Sequence, residues 1–132
     1  MILDRRFVLP PGDDLSKIER IDPIPAEARV RSGSAYLIDV RSRIRFDPEH
    51  ARGAIDVPLL EVQQLASTLR RDASPILYCT CPNEVTSARV ALQLKRHGVA
   101  HVRPLEGGFP LWRELGFPVE AVAEEESARS AA

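Results

Sequence analysis

Short apolar runs alternate along the chain with stretches whose apolar residues recur every three or four positions. Ala35-Tyr36-Leu37-Ile38-Asp39-Val40 is apolar on nearly every residue, the pattern of a strand covered on both faces. Ala54-Ile55-Asp56-Val57 is a second, shorter run, and residues 75–81 form a third. Val62, Leu65, Ala66 and Leu69 stand at i, i+3, i+4 and i+7, which predicts an amphipathic helix. Val85, Ala88, Ala91, Leu92 and Leu94 predict another, with Gly98 as its C′ residue. Residues 99–102 read as a strand, and 108–115, around Trp112, as a short helix stopped by Gly116. Ahead of all these, Asp22 and Pro23 have the character of N-cap and first helical residue for a helix ended by Ser32-Gly33-Ser34.

From residue 35 onward the order is β-β-α-β-α-β-α. That alternation predicts an α/β fold, with a mainly parallel central sheet and helices on both faces. Residues 21–120 form this domain. Residues 1–20 read as an irregular segment containing Pro10-Pro11-Gly12, and 121–132, small and charged around Glu124-Glu125-Glu126, as a disordered tail. Ligands of such sheets bind outside the carboxyl ends of the strands. This directs attention to the end of the third strand.

Composition narrows the chemistry. At 132 residues the chain is one domain. Lys and Arg number 18 against 19 Asp and Glu, so a dedicated basic nucleic-acid binder is not expected. Two cysteines make no disulfide scaffold, and His50, His97 and His101 have no metal-ligand spacing with them. Neither a metal nor a cofactor is expected. No apolar run approaches the roughly 20 residues of a membrane span, and no leader pattern opens the chain, so a cytoplasmic, reducing location is the expectation.

The site candidate is the stretch Cys81-Pro82-Asn83-Glu84-Val85-Thr86-Ser87-Ala88-Arg89. A cysteine ends a strand, a short loop follows and a helix begins. Loop amides and the helix N-terminus then converge on one spot, a cradle for an anion. A thiolate there is stabilised, its pKa falls below the free value of about 8.5, and it becomes a nucleophile. Asn83, Thr86 and Ser87 can add hydrogen bonds. The plainer alternative is a buried structural thiol, since free cysteine is among the most buried residue types. Cys79 lies two residues earlier, on the same face of a strand. At about 6.6 Å between Cα atoms, a bond between the two would need the strand to bend. Cys79 reads as a core residue, with a resolving thiol as the alternative.

These residues resemble the rhodanese-like domain, the single-domain sulfurtransferase type. Three motifs carry the resemblance, in the family's order. The first is Asp39-Val40-Arg41 with Phe46, His50, Gly53-Ala54 and Val57-Pro58; the second is the cysteine loop to Ser87-Ala88-Arg89; the third is Leu105-Glu106-Gly107-Gly108 with Trp112. The resemblance implies a cysteine that takes sulfane sulfur from a small donor of the thiosulfate or persulfide type. The cysteine holds it as a persulfide and passes it to a thiol or cyanide-like acceptor, or to a protein persulfide partner. Counted from the third motif and from Ser87-Ala88, the reactive position falls on Cys81. Counted from Tyr78-Cys79 it falls on Cys79, with a loop two residues longer.

The substrate-binding set read this way is Asn83, Glu84, Val85, Thr86 and Ser87, with Arg41 and Arg89 supplying positive potential. The loop departs from the family's habit in having no basic residue and in carrying Glu84, which would repel an anionic donor if it pointed inward. Pro82 also removes one amide from the cradle. Arg45 and Glu49 stand where the family usually has Glu and Gly. The departures keep a second function open, a non-catalytic module that docks or regulates a partner. A phosphatase-type reading is weaker. Thr86 and Ser87 stand where an oxyanion-clamping Arg would be needed.

Overall fold

Asp22 opens the first helix as its residue type predicts. Its side chain accepts the Ile24 amide at 2.9 Å, Pro23 fills the first helical position, and helix α1 (Pro23–Ser32) ends on Gly33 at φ +86°. The computed structural model describes residues 15–41, 47–56, 62–80 and 84–121. After α1 come strands β1 (Ala35–Asp39), β2 (Glu49–Ala51) and β3 (Ile55–Asp56), helix α2 (Val62–Thr68), strand β4 (Ser74–Tyr78), and helix α3 (Val85–Arg96). The chain finishes with strand β5 (Arg103–Pro104), helix α4 (Gly108–Glu114) and strand β6 (Val119–Ala121). A 3-10 turn at Leu15–Lys17 precedes them.

The main sheet runs β3-β1-β4-β5 and every pairing is parallel. Strand periodicity sorts its side chains into two cores. Tyr36, Ile38, Val40, Leu77 and Cys79 pack with Leu65 and Ala66 of α2 and Val90, Ala91 and Leu94 of α3. Ala35, Leu37, Ile76 and Tyr78 pack on the other face with Ala26 of α1 and Phe109 and Trp112 of α4. Helices therefore cover both faces, which is why β1 is buried at all five residues. Each fully buried Leu or Ile contributes about 1.5–3 kcal/mol by leaving water.

Three details differ from the reading of the sequence. The strand expected over 99–102 lies at Arg103–Pro104. Val99 and Val102 are buried anchors of the first core, but Ala100 and His101 between them sit in an exposed turn. Secondly, β2 and β6 pair antiparallel beside the main sheet, with Ala51 opposite Val119. Three-residue strands of mixed polarity leave no readable period. Ala121, assigned to the tail by composition, is the last residue of β6 and pairs with Glu49. Thirdly, β4 ends at Tyr78, before the two cysteines. Residues 122–132 and most of 1–20 lie outside the described residues.

The loop between β1 and β2 re-enters at Asp47, which ties several elements together. Its carboxylate accepts the Glu49 amide at 3.0 Å, Arg41 at 3.2 Å and the Arg113 guanidinium. Burial opposes ionisation, but the Glu49 amide, Arg113 and Arg41 outweigh it and hold this carboxyl below the ordinary aspartate range. A carboxyl depressed by folding stabilises above its unfolded pKa, about 3.9, and loses that contribution as pH falls through the lower folded value. Thermal stability is therefore expected to drop below about pH 4. Asp47→Asn should be less stable at neutral pH and less sensitive to acid, as read by melting temperature against pH. Equal acid sensitivity in the variant would contradict this role.

Candidate functional site

The parallel register sets Asp39, the last residue of β1, beside Tyr78, the last of β4. Asp39 is buried with no exposed side-chain surface, and Arg41 neutralises it. The Arg41 Nε stands 3.0 Å from each carboxylate oxygen, and Nη2 donates to Oδ2 at 2.7 Å and to the Glu49 carbonyl at 2.8 Å. The guanidinium lies 4.5 Å from the centre of the Phe109 ring. Although burial disfavours its charge, the Asp39 hydrogen bonds and charge prevail and raise its pKa. Arg41 thus forms the floor beneath the strand ends, 4% exposed, with its donors turned to Asp39, Asp47 and Glu49. The Tyr78 hydroxyl donates to Asp39 at 3.1 Å and accepts the Ala51 amide at 3.1 Å. Burial and the Asp39 charge push its pKa far up, so it stays a neutral donor.

Cys79 is 2% exposed and belongs to the core between the sheet and helices α2 and α3. Its carbonyl accepts the Phe109 amide at 3.0 Å. A Cβ on Gly108 would stand 2.3 Å from that carbonyl oxygen, so only glycine lets α4 start this close to β4. Thr80 is exposed. Cys81, Pro82 and Asn83 lie outside the described residues.

The chain resumes at Glu84, with φ +53° and ψ +37°, as the residue preceding α3. Among the described residues it is the one non-glycine with positive φ. A left-handed conformation costs an L-residue roughly 1–2 kcal/mol, so neighbouring contacts must hold it. They do: its carboxylate accepts the Arg20 Nε at 3.2 Å and the Gly107 amide at 3.4 Å. Glu84 therefore faces the N-terminal segment and the turn before α4. Arg20 escaped the sequence reading because it lies 64 positions away in a stretch without periodicity.

Glu84 makes no side-chain cap to the helix it opens. In the first turns of α3, Val85 and Thr86 are half-buried. Ser87 is fully buried, and its hydroxyl has no hydrogen-bond partner among the described residues. Arg89 is half-buried, with its Nε shielded and likewise unpartnered. A 12-residue helix carries a partial positive charge at this end. Glu84 to Arg89 thus stand together at one helix start, while the Arg41 guanidinium is engaged by Asp39, Asp47, the Glu49 carbonyl and the Phe109 ring. Beside Thr80 an open depression of about 410 Å³ is lined by Asp47, Phe109, Pro110, Arg113 and Glu114. Arg113 lies over the Phe109 ring, 4.3 Å from its centre. Among the described residues no cluster of His, Cys, Asp and Glu is arranged for a metal, and no helix is long and apolar enough to cross a membrane.

Known proteins place this arrangement in a family. The Rhodanese-like domain model matches residues 23–115. The uncharacterized protein YqhL of Bacillus subtilis is 36% identical over 96 residues, covering 71% of this chain and 75% of its own. The thiosulfate sulfurtransferase GlpE of Pseudomonas fluorescens is 32% identical over 106 residues, covering 80% of this chain and 94% of its own. Among solved structures, the rhodanese-like domain of the Alr3790 protein from Anabaena superposes with a TM-score of 0.65 at 24% identity, over 78% of this chain and 79% of that one. The parallel sheet with helices on both faces is the architecture these relatives share, and the chain belongs to the rhodanese-like domain family.

Proposed function

We propose that the protein is a sulfur carrier in which Cys81 is the nucleophile. The Cys81 thiolate attacks the outer sulfur of thiosulfate or of a persulfide. The donor's S–S bond breaks, sulfite or a thiolate leaves, and Cys81 becomes a persulfide. An acceptor thiolate or cyanide then attacks the terminal sulfur, and the Cys81 thiolate is released unchanged. The observation that carries this reading is the burial of Cys79. With that thiol enclosed in the core, sulfur chemistry falls to Cys81, which in the sequence follows exposed Thr80 and comes three positions before Glu84, the left-handed residue that precedes α3. The buried Ser87 hydroxyl and the helix N-terminus support an anionic sulfur at this end of α3.

Steady-state transfer from thiosulfate to cyanide tests the assignment. Cys81→Ser should lose activity by about a thousandfold or more, as removal of a nucleophile does. Cys79→Ser, a near-isosteric change in the core, should retain activity within a few-fold. Activity that survives in Cys81→Ser and vanishes in Cys79→Ser would move the nucleophile. No transfer by the wild type from thiosulfate or a polysulfide would favour the docking-module function.

A further inference from the structure

We propose that Arg20 is a positioning residue for the Cys81 loop: it clamps Glu84 at the loop's exit and cancels a negative charge that would otherwise repel anionic sulfur donors. The proposal rests on the sulfur-carrier reading for its purpose, but its geometry is independent of it.

The clamp is built from three segments. Arg20 donates from Nε to Glu84 at 3.2 Å, and its Nη1 donates to the carbonyls of Leu15 and Ile18, closing the 3-10 turn around the guanidinium. The two side chains are 16% and 15% exposed, so the pair is partly shielded from water and salt. The other Glu84 oxygen faces the Gly107 amide. Next to Arg20, Ile21 is fastened to the end of the sheet. Its amide donates to the Pro104 carbonyl at 2.9 Å, and its carbonyl accepts the Glu106 amide at 2.9 Å. The N-terminal segment is thereby held in place on its own account, and Arg20 is presented to Glu84 from a fixed base. Glu84 needs such a hold, because it adopts the left-handed backbone that the entry to α3 requires without being glycine.

Charge follows from chain length. Cys81 and Glu84 are three positions apart, a stretch of chain that spans at most about 11 Å between Cα atoms. That is close to the screening length of about 10 Å at 0.1 M salt. A lone carboxylate at position 84 therefore acts on any anion approaching Cys81; a carboxylate paired with Arg20 does not. Arg20 lies before residue 23, where the family match begins. The segment preceding α1 becomes a functional part of the site.

Alkylation of Cys81 by iodoacetate, which is anionic, and by iodoacetamide, which is neutral, reads that charge without any sulfur donor. Rates at Cys81 would be followed by peptide mass spectrometry at low ionic strength. Arg20→Gln should lower the iodoacetate-to-iodoacetamide ratio by about threefold. Arg20→Gln combined with Glu84→Gln should return it to the wild-type value, and Arg20→Lys should keep most of it. A purely structural role would move both rates together and leave the ratio alone. A ratio unchanged in Arg20→Gln, or lowered and not restored by Glu84→Gln, would overturn the proposal. Should Arg20→Gln fail to fold, Glu84→Gln alone decides. It removes the negative charge at position 84 while Arg20 keeps its own, and should raise the ratio; an unchanged ratio would overturn the clamp. Sulfur loading of the wild type is scored separately, so failure of the carrier reading appears there and not in the ratio.

Discussion

Replacing Arg41 with alanine is expected to destabilise the protein by about 3–5 kcal/mol, the cost of leaving a buried charge without its partner. Asp39 has no exposed side-chain surface. Without the guanidinium its carboxylate keeps the Tyr78 hydroxyl and the backbone amide of residue 41 as hydrogen-bond donors but loses the charge it pairs with at 2.7 Å. Arg41 also carries packing, since it lies against Phe109 and reaches the Glu49 carbonyl. A loss of this size is a large share of the 5–15 kcal/mol that holds a typical domain together. Urea unfolding measures it. Arg41→Ala combined with Asp39→Asn should recover part of the loss, because the uncompensated charge is then gone. A single-variant cost below about 1 kcal/mol, the range of surface ion pairs, would show that the pair does not form the floor described above.

Gly108→Ala should act on stability and on the site together. The added methyl group would meet the Cys79 carbonyl oxygen at 2.3 Å, and the residue would keep φ +60°. Overpacking costs typically 1–3 kcal/mol and a left-handed L-residue about 1–2 more, for roughly 3 kcal/mol in all. The start of α4 must shift, and with it the Phe109 amide that holds the Cys79 carbonyl. Cys79 is two residues from Cys81, so sulfur transfer should fall in the folded fraction as well. Gly116→Ala is the control. It also has positive φ, but no atom stands within 4 Å of the added carbon. It should cost only the backbone part of the loss. Equal losses at the two positions would remove the steric argument.

Much of this was legible in the sequence because the core is periodic. The near-continuous apolar runs at 35–40 and 75–81 marked β1 and β4 as strands covered on both faces before any partner was known, and Asp22, Pro23 and Gly33 marked the ends of α1 by local chemistry alone. What escaped were features made by distant pairing. Strands β2 and β6 are three residues each and meet only in space, through registers such as His50 opposite Glu120. At the site, the sequence singled out Glu84 as a negative charge at the wrong place. Its partner Arg20 left no signal, since an ion pair across 64 positions has no period. Arg41 was noticed for its charge, yet nothing local told that the charge is spent on Asp39, two residues back and buried at a strand end. The family motifs located the cysteine loop, and the burial of Cys79 now weighs between its two thiols.

The most direct test of the central claim is intact mass spectrometry after exposure to thiosulfate or a polysulfide, with wild type, Cys81→Ser and Cys79→Ser side by side. The expected result is a gain of one sulfur atom in the wild type and in Cys79→Ser, none in Cys81→Ser, and loss of the added sulfur on incubation with cyanide. Sulfur retained by Cys81→Ser, or no addition to the wild type from either donor, would contradict the account.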